Sequence, residues 1–453
     1  LTFYYKDAAS AAIYGAQSGA GGVILVTTKR SAEKGVSISY DGTYGMHQAY
    51  NLLTPLTAEE ELEMRVNSYE RAGLTVPNAW NPDMNPWITE TRTNWMDEVF
   101  RTSPFQRHTA ALSYNEDKVK VRFSINYTDD QGILLNTYST NLSTRFLGEF
   151  KLNNYLKITE DANWSTGKSH GADTGSQTEG VLISALNMPP SATVYNADGT
   201  FGGTTTNDPE YLRQYGSFFA DAHGATINPV RQLIAQSVDG ESDRFFTNTS
   251  LEVGNIIKGL KFVSRFTYDV SSSFSKSFTP RRLEVGKADA NNYLSYGTGK
   301  GYSWKTENTL TYDRTFGKHT VGGLLATTAS KGYSRSLSAS GTDLASEEEY
   351  LRFLRYASVV NASDGHSGFD TNVAVIARAA YSFDDRYFVT ASWRRDYASR
   401  LPKNSNYGDF PAVTAAWKIS NEGFFPKSDV VTLAKIRASW GRIGNLGSVP
   451  SNY

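Results

Sequence analysis

The chain contains no cysteine. Disulfide staples, thiolate nucleophiles and Cys-ligated zinc or iron–sulfur sites are therefore excluded, and an oxidising envelope is permitted without being required. Excess charge of either sign is also missing, since 45 Lys+Arg against 46 Asp+Glu leave a formal charge of −1. Nucleic-acid binding as the main task needs a concentrated cationic face, and no basic block supplies one. Long apolar runs are absent too: the most hydrophobic, Val23-Ile24-Leu25-Val26, falls far short of the ~20 residues that a membrane-spanning helix needs. The six histidines (His47, His108, His170, His223, His319 and His366) show no His-Glu-x-x-His or other helical ligand spacing, so a metal hydrolase has no basis. Leu1 is preceded by no Met and followed by no apolar targeting segment, and the chain is read as a piece of a longer protein.

What is present is aromatic and alternating. Aromatic residues make up 13% of the chain, a load that argues against disorder. By length, two to four soluble domains or one oversized all-β structure would fit the 453 residues. Residues 1–35 form a Gly/Ala-rich unit in which Ala8 to Tyr14 has helix-forming content, Gly15 to Gly22 is a flexible turn and Val23 to Thr28 a buried strand. From Val36 onward the pattern has period two: Val119, Val121, Phe123, Ile125 and Tyr127 alternate with Lys120, Arg122, Ser124 and Asn126, and similar runs cover 260–270 and 373–383. One helix is expected in the first long loop. Thr57 to Glu60 reads as a capping box, Leu62, Val66 and Tyr69 share a face, and Gly73 ends it; the helix is expected to pack this loop over the barrel mouth.

The connections fall into two kinds that alternate. Short turns lie at 115–117, 153–155, 255–259, 313–318 and 384–386, whereas long polar loops lie at about 49–104, 128–140, 169–243, 271–301, 330–370 and 398–409. A soluble sandwich has no reason to sort its loops this way, but an outer-membrane barrel has short turns at its periplasmic rim and long loops outside. About thirteen strands result, each near the 9–11 residues that a tilted strand needs to cross a bilayer. An open edge in hydrocarbon is costly, so further strands are expected elsewhere. Tyr114, Tyr127, Trp164, Tyr268, Trp304, Tyr312, Tyr381, Tyr387, Trp393, Trp417 and Trp440 lie near strand ends, as an interfacial girdle would. Ordinary β-propensity of aromatics is the competing explanation.

Motifs for bond chemistry are weak. Gly167-Lys168-Ser169-His170-Gly171 matches a nucleophile elbow, but loop material follows where a helix is required. Read as the end of a phosphate loop, it would need a glycine where Ala162 stands. Asn196-Ala197-Asp198-Gly199 recurs in calcium loops, yet Val194 holds the leading position and no Glu closes the loop, so a tight turn is expected. Loop aromatics including Trp80, Trp87, Tyr195, Tyr211 and Tyr215 are candidate contacts for sugar rings or a peptide, with loop packing as the alternative.

Lys6-Asp7-Ala8-Ala9-Ser10-Ala11-Ala12-Ile13-Tyr14-Gly15, followed by Gly19-Ala20-Gly21-Gly22 and Val23 to Lys29, resembles the end of the plug domain of SusC/RagA-type TonB-dependent outer-membrane transporters. Asn94 to Phe100, Arg400 to Lys403, Tyr407 to Val413 and Ile436 to Asn445 resemble further segments of that family, in family order, with none in 169–243. Leu1 to Tyr5 depart from it, standing where an aliphatic strand is usual. The resemblance implies an all-β, transmembrane antiparallel β-barrel, with about 13 of an expected 22 strands in residues 36–453, preceded by the C-terminal part of an α+β plug in 1–35. It implies gating roles for Lys6, Asp7, Ala8, Tyr14, Gly15, Gly19 and Gly22, and TonB-dependent import of an oligosaccharide or peptide across a bacterial outer membrane. A SusD-like surface lipoprotein and TonB, the latter through a segment absent here, are the implied partners, besides outer-membrane lipid. No catalytic, metal or cofactor site and no nucleic acid is implied. The rival class is a secreted soluble all-β glycan-binding protein or glycosidase; a passive porin would lack the plug that residues 1–35 suggest.

Overall fold

The structure, a computed structural model, describes residues 2–5, 23–26, 34–77, 80–83, 87–203, 226–284, 288–426 and 430–444. Strands β1 (Thr2–Tyr5) and β2 (Val23–Val26) pair antiparallel with Phe3 opposite Leu25. The aromatic stretch that departs from the family pattern thus still forms a strand.

All other strands belong to one antiparallel sheet. β3 (Gly35–His47), β4 (Ser103–Asn115), β5 (Val119–Gln131), β6 (Tyr138–Lys151) and β7 (Leu156–His170) follow one another as neighbours. β8 (Ser237–Gly254), β9 (Leu260–Thr279), β10 (Tyr293–Phe316) and β11 (His319–Leu344) continue the meander, and β13 (Asp370–Phe383), β14 (Tyr387–Ala398), β15 (Tyr407–Lys418) and β16 (Lys435–Gly441) complete it. β12 (Ala357–His366) lies off this path, pairing only with the far part of β11, Arg335 to Leu344, while β13 takes His319 to Gly332. The thirteen strands on the path match the number expected from the alternation.

The sorted connections are real. At the short rim, Asp384 and Asp385 both adopt positive φ, 53° and 52°, in a three-residue turn between the paired Phe383 and Tyr387. Gly259, at φ 89°, closes another; a Cβ there would stand 2.4 Å from the carbonyl oxygen of Asp313, so the neighbouring hairpin leaves room for glycine alone.

At the other rim the expectation needs correction. Residues 271–301 and 330–370 are mostly strand rather than loop, because β8 to β11 run for 18, 20, 24 and 26 residues, well beyond the 9–11 that cross a bilayer. The long upper segments are rich in Ser and Gly, as in Ser271-Ser272-Ser273. Their apolar residues, such as Phe274, Phe278, Leu294 and Tyr296, are spaced among Ser, Gly and Lys, so the alternation is too sparse to signal a strand. Similarly β5 extends to Gln131, which shortens the expected 128–140 loop to 132–137.

Cross-strand register assigns side chains to two faces, and the large apolar and aromatic residues gather on one of them. Tyr114 opposes Val121, Tyr127 opposes Leu142 and Thr144 opposes Trp164; Thr247 opposes Tyr268 and Trp304 opposes Tyr268 in turn. Carried through β16, this register puts all eleven expected girdle aromatics on one face. Chance placement would have split them. The same face exposes Val36, Ile38, Phe123, Ile125, Leu251, Phe266, Leu325, Val389 and Val413, which is the apolar band of a barrel exterior. The sheet is the wall of a partial barrel.

Candidate functional site

The face opposite the apolar band carries a series of ion pairs among smaller apolar residues. Arg145 on β6 grips Asp161 on β7 through two nitrogens, at 2.9 and 2.7 Å, a forked geometry that fixes both side chains. Lys157 meets Glu252 at 3.3 Å, and Glu307 receives both Lys305 at 2.8 Å and Arg265 at 3.3 Å. Asp161, Lys157, Glu252 and Arg265 border a hollow of about 380 Å³ on the inner wall, and Lys305, Glu307, Arg394 and Asp396 border a second of about 300 Å³. Cations and carboxylates meet along and across strands here, Arg145, Lys157, Arg265, Lys305 and Arg394 against Asp161, Glu252, Glu307 and Asp396, with one cation in excess.

Higher up, the inner wall changes chemistry. Across β8 to β11, Ser242, Ser271, Ser273, Gly299, Gly301, Ser334 and Ser336 line a hollow of about 750 Å³, with Arg244 bonded to Asp269 at its lower margin. Small side chains present hydroxyls and backbone at this level, with Asp243, Arg244, Lys300 and Arg335 at its margins. It is a vestibule above an ion-paired throat.

The long loops have a core of their own, which the sequence reading missed. α3 (Trp95–Val99), α4 (Val181–Asn187) and α5 (Pro229–Ile234) bring together Trp95, Met96, Val99, Leu134, Val181, Ala185, Val230 and Leu233, all buried. Trp95 donates from Nε1 to the carbonyl of Pro189 at 2.9 Å, and Asn228 caps α5 while its amide serves the carbonyls of Val194 and Gly202. Arg231 and Glu284 form a buried ion pair that ties α5 to the β9–β10 connection, reinforced by Arg231 donating to the carbonyls of Pro280 and Arg281. Burial pushes the Arg231 guanidinium below its usual range, and Glu284 pulls it back up. The signal for this core was present in the apolar spacing of Val181 to Ala185 and Val230 to Leu233, but each helix is too short for periodicity to stand out.

The first loop holds the expected helix, α1 (Ala58–Arg71), with its capping box complete: the Glu60 carboxylate accepts from the Thr57 amide at 2.8 Å and the Thr57 hydroxyl from the Glu60 amide at 3.3 Å. Its apolar face packs with Trp80 and Ile88, the latter on α2 (Trp87–Glu90). Glu61, buried on the same helix, has its carboxyl pushed up by desolvation, opposed by Arg65.

The candidate substrate contacts separate accordingly. Trp80 is 3% exposed with the Arg65 guanidinium 5.3 Å from its ring centroid, so it belongs to loop packing and is withdrawn as a substrate contact. Tyr195 is exposed and pairs with Phe201, ring centroids 5.2 Å apart, at the base of the expected tight turn. In that turn the Thr200 amide and hydroxyl donate to Asp198, which holds its carboxyl below the usual range, and Gly199 takes φ 83°. Trp87 opens α2, but its side chain lies outside the described residues. Tyr211 and Tyr215 lie outside them too, as do Lys6, Asp7, Ala8, Tyr14, Gly15, Gly19 and Gly22.

The elbow-like motif is no nucleophile site. Ser169 sits within β7, paired with Ser139 and Gly240, and His170 points to the other face, where it meets Asp239 at 2.7 Å. Successive strand residues cannot form one constellation. Among the described residues, no group of three or more His, Asp or Glu is placed to hold a metal ion.

Comparison with known proteins agrees with the geometry. Over 447 residues the chain is 27% identical to TonB-dependent receptor P3 of Formosa agariphila, covering 97% of this chain and 41% of that one. It is 24% identical to TonB-dependent receptor SusC of Bacteroides thetaiotaomicron, covering 98% and 43% respectively. The solved structure of the RagAB peptide transporter superposes with a TM-score of 0.79 at 20% identity, over 100% of this chain and 52% of that chain, which shows a shared fold. No family model matches. The chain thus spans about two fifths of the curated relatives' length, and its resemblance is to the SusC/RagA-type TonB-dependent transporters.

Proposed function

We propose that these residues are the end of a plug (1–35) and part of the barrel (36–453) of an outer-membrane transporter that imports an oligosaccharide or peptide by a TonB-driven cycle. The observation that carries this reading is the sorting of one sheet into an apolar, aromatic-belted face and an ion-paired face, with tight turns at one rim and structured loops at the other. A soluble glycan-binding sheet has no use for an exposed band of Ile38, Phe123, Leu251 and Val413 in water.

The protein's work in this reading is gating rather than bond chemistry. Substrate enters between the loops, whose helical core and exposed Tyr195 form the upper wall, and passes the Ser/Gly vestibule toward the throat. Plug residues Lys6, Asp7, Ala8, Tyr14, Gly15, Gly19 and Gly22 would be displaced when TonB pulls from the periplasm, and a SusD-like lipoprotein would cover the loops. The name of the RagAB neighbour supports a peptide as one substrate class, and the SusC relative supports the same machinery.

The test is accumulation of labelled oligosaccharides and peptides by cells with and without the full-length protein. Uptake that needs the protein and collapses with a protonophore is expected. Uptake that survives the protonophore would point to a passive pore, and recovery of the protein in the soluble fraction without detergent would refute the barrel.

A further inference from the structure

On the apolar face, where three strands carry small residues in register, the band is interrupted by a groove. Gly323 on β11 opposes Ala379 on β13, which opposes Ala391 on β14; one step higher, Leu325 opposes Ala377 and Ala377 opposes Trp393. Gly323, Ala377, Ala379 and Ala391 make the floor, and Leu325 and Trp393 rise on either side of a volume of about 680 Å³ lined almost entirely by carbon. Elsewhere the band carries large side chains such as Phe123 and Phe266.

A charged cluster stands directly above. Arg395 follows Trp393 on the same face of β14 and forks onto Asp409 of β15, both contacts 2.8 Å, while Trp393 Nε1 donates to the same carboxylate at 3.0 Å. The guanidinium also lies 4.7 Å from the Tyr407 ring centroid. Arg442, two residues beyond Trp440 and in step with it on this face, adds a second guanidinium that acts electrostatically on Asp409, so the cluster holds two cations against one carboxylate. Eight residues up β14 from the girdle residue Tyr387, Arg395 stands about 20 Å above the short-turn rim, given about 3.3 Å per residue and a tilt of about 40°. That level lies about 5 Å below the top of an apolar band about 25 Å tall, a distance that an arginine side chain reaching upward covers.

We infer that this part of the outer face holds one lipid of the outer leaflet, its acyl chains in the groove and its phosphate over Arg395 and Arg442. The occupant is lipid A, the phosphorylated acyl-glucosamine lipid of that leaflet, because cationic groups lie at headgroup height with an apolar trough immediately beneath. Arginine suits phosphate by charge and by its planar fork of donors. The inference rests on the outer-membrane barrel reading above.

The test is mass spectrometry of lipid retained by the full-length protein after purification from outer membranes in mild detergent. Wild type is expected to keep about one lipid A per barrel through washing. Ala391→Phe, which fills the groove, and Arg442→Gln, which removes one cation without touching the Arg395–Asp409 pair, should each lower retention about tenfold. Thr144→Phe, on the same face of β6, should leave it unchanged; heat-modifiable mobility certifies each barrel as folded. Wild type keeping no lipid A, keeping phosphatidylglycerol instead, or both variants keeping as much as wild type, would overturn the inference. A protein that needs no detergent would instead refute the barrel itself.

Discussion

The wall and the loop core are built by opposite rules from the same chain. In the wall, Ile38 and Leu251 point outward and are 80% and 38% exposed, whereas in the loops Trp95, Val99 and Val181 are at most 1% exposed. The difference is the solvent. Hydrocarbon makes an outward apolar residue free of cost and a buried backbone ladder compulsory, whereas water drives the loops to enclose their apolar residues as any soluble domain does. One molecule therefore carries two definitions of inside.

That contrast is open to direct attack. The largest effect is expected from Trp95→Ala, which removes a buried indole and its bond to Pro189 at a cost of about 3–5 kcal/mol confined to the loop core. Limited proteolysis between residues 171 and 236 should accelerate while the heat-modifiable barrel band persists; loss of both together would mean the two regions are not separate. Leu251→Arg, on the outer face, should cost about 2–4 kcal/mol, read as a lowered urea midpoint in liposomes. If it is neutral, that face does not meet lipid. Thr57→Ala should weaken α1 by about 1 kcal/mol through loss of the cap, seen as faster amide exchange over 58–62 alone. The smallest effect belongs to Ser143→Lys, on the inner face of β6, which should change stability by about 0.5 kcal/mol or less, in contrast to Leu251→Arg.

Much of the wall was legible because alternation has one physical cause, a sheet with different media on its two sides. Residues 119–127, 260–270 and 373–383 lie where that contrast is strongest, and the tight turns between them carry their own Asn, Asp and Gly signals. Legibility stopped where the contrast stopped. The upper segments of β9 to β11 set their few apolar residues among Ser, Gly and Lys, so Ser271 to Ser277 and Gly297 to Gly301 looked like loop. Trp80 illustrates a different limit: composition marks an aromatic in a loop but not whether it faces a ligand or Arg65. The α3–α4–α5 core draws on three segments far apart in sequence, and no local pattern announces such a meeting.

The lack of cysteine noted at the outset makes the most direct test simple, since an introduced thiol in this segment reports on itself alone. Single cysteines placed in turn at 245 through 252 of β8 in the full-length protein, in native outer membranes, would be challenged with a membrane-impermeant maleimide and with a lipid-soluble one. Strict alternation is predicted: odd positions, sharing the face of Phe245 and Leu251, react only with the lipid-soluble reagent, and even positions, sharing the face of Asn248, react with the water-soluble one once the lumen is accessible. Equal reaction of odd and even positions with the water-soluble reagent would contradict the account.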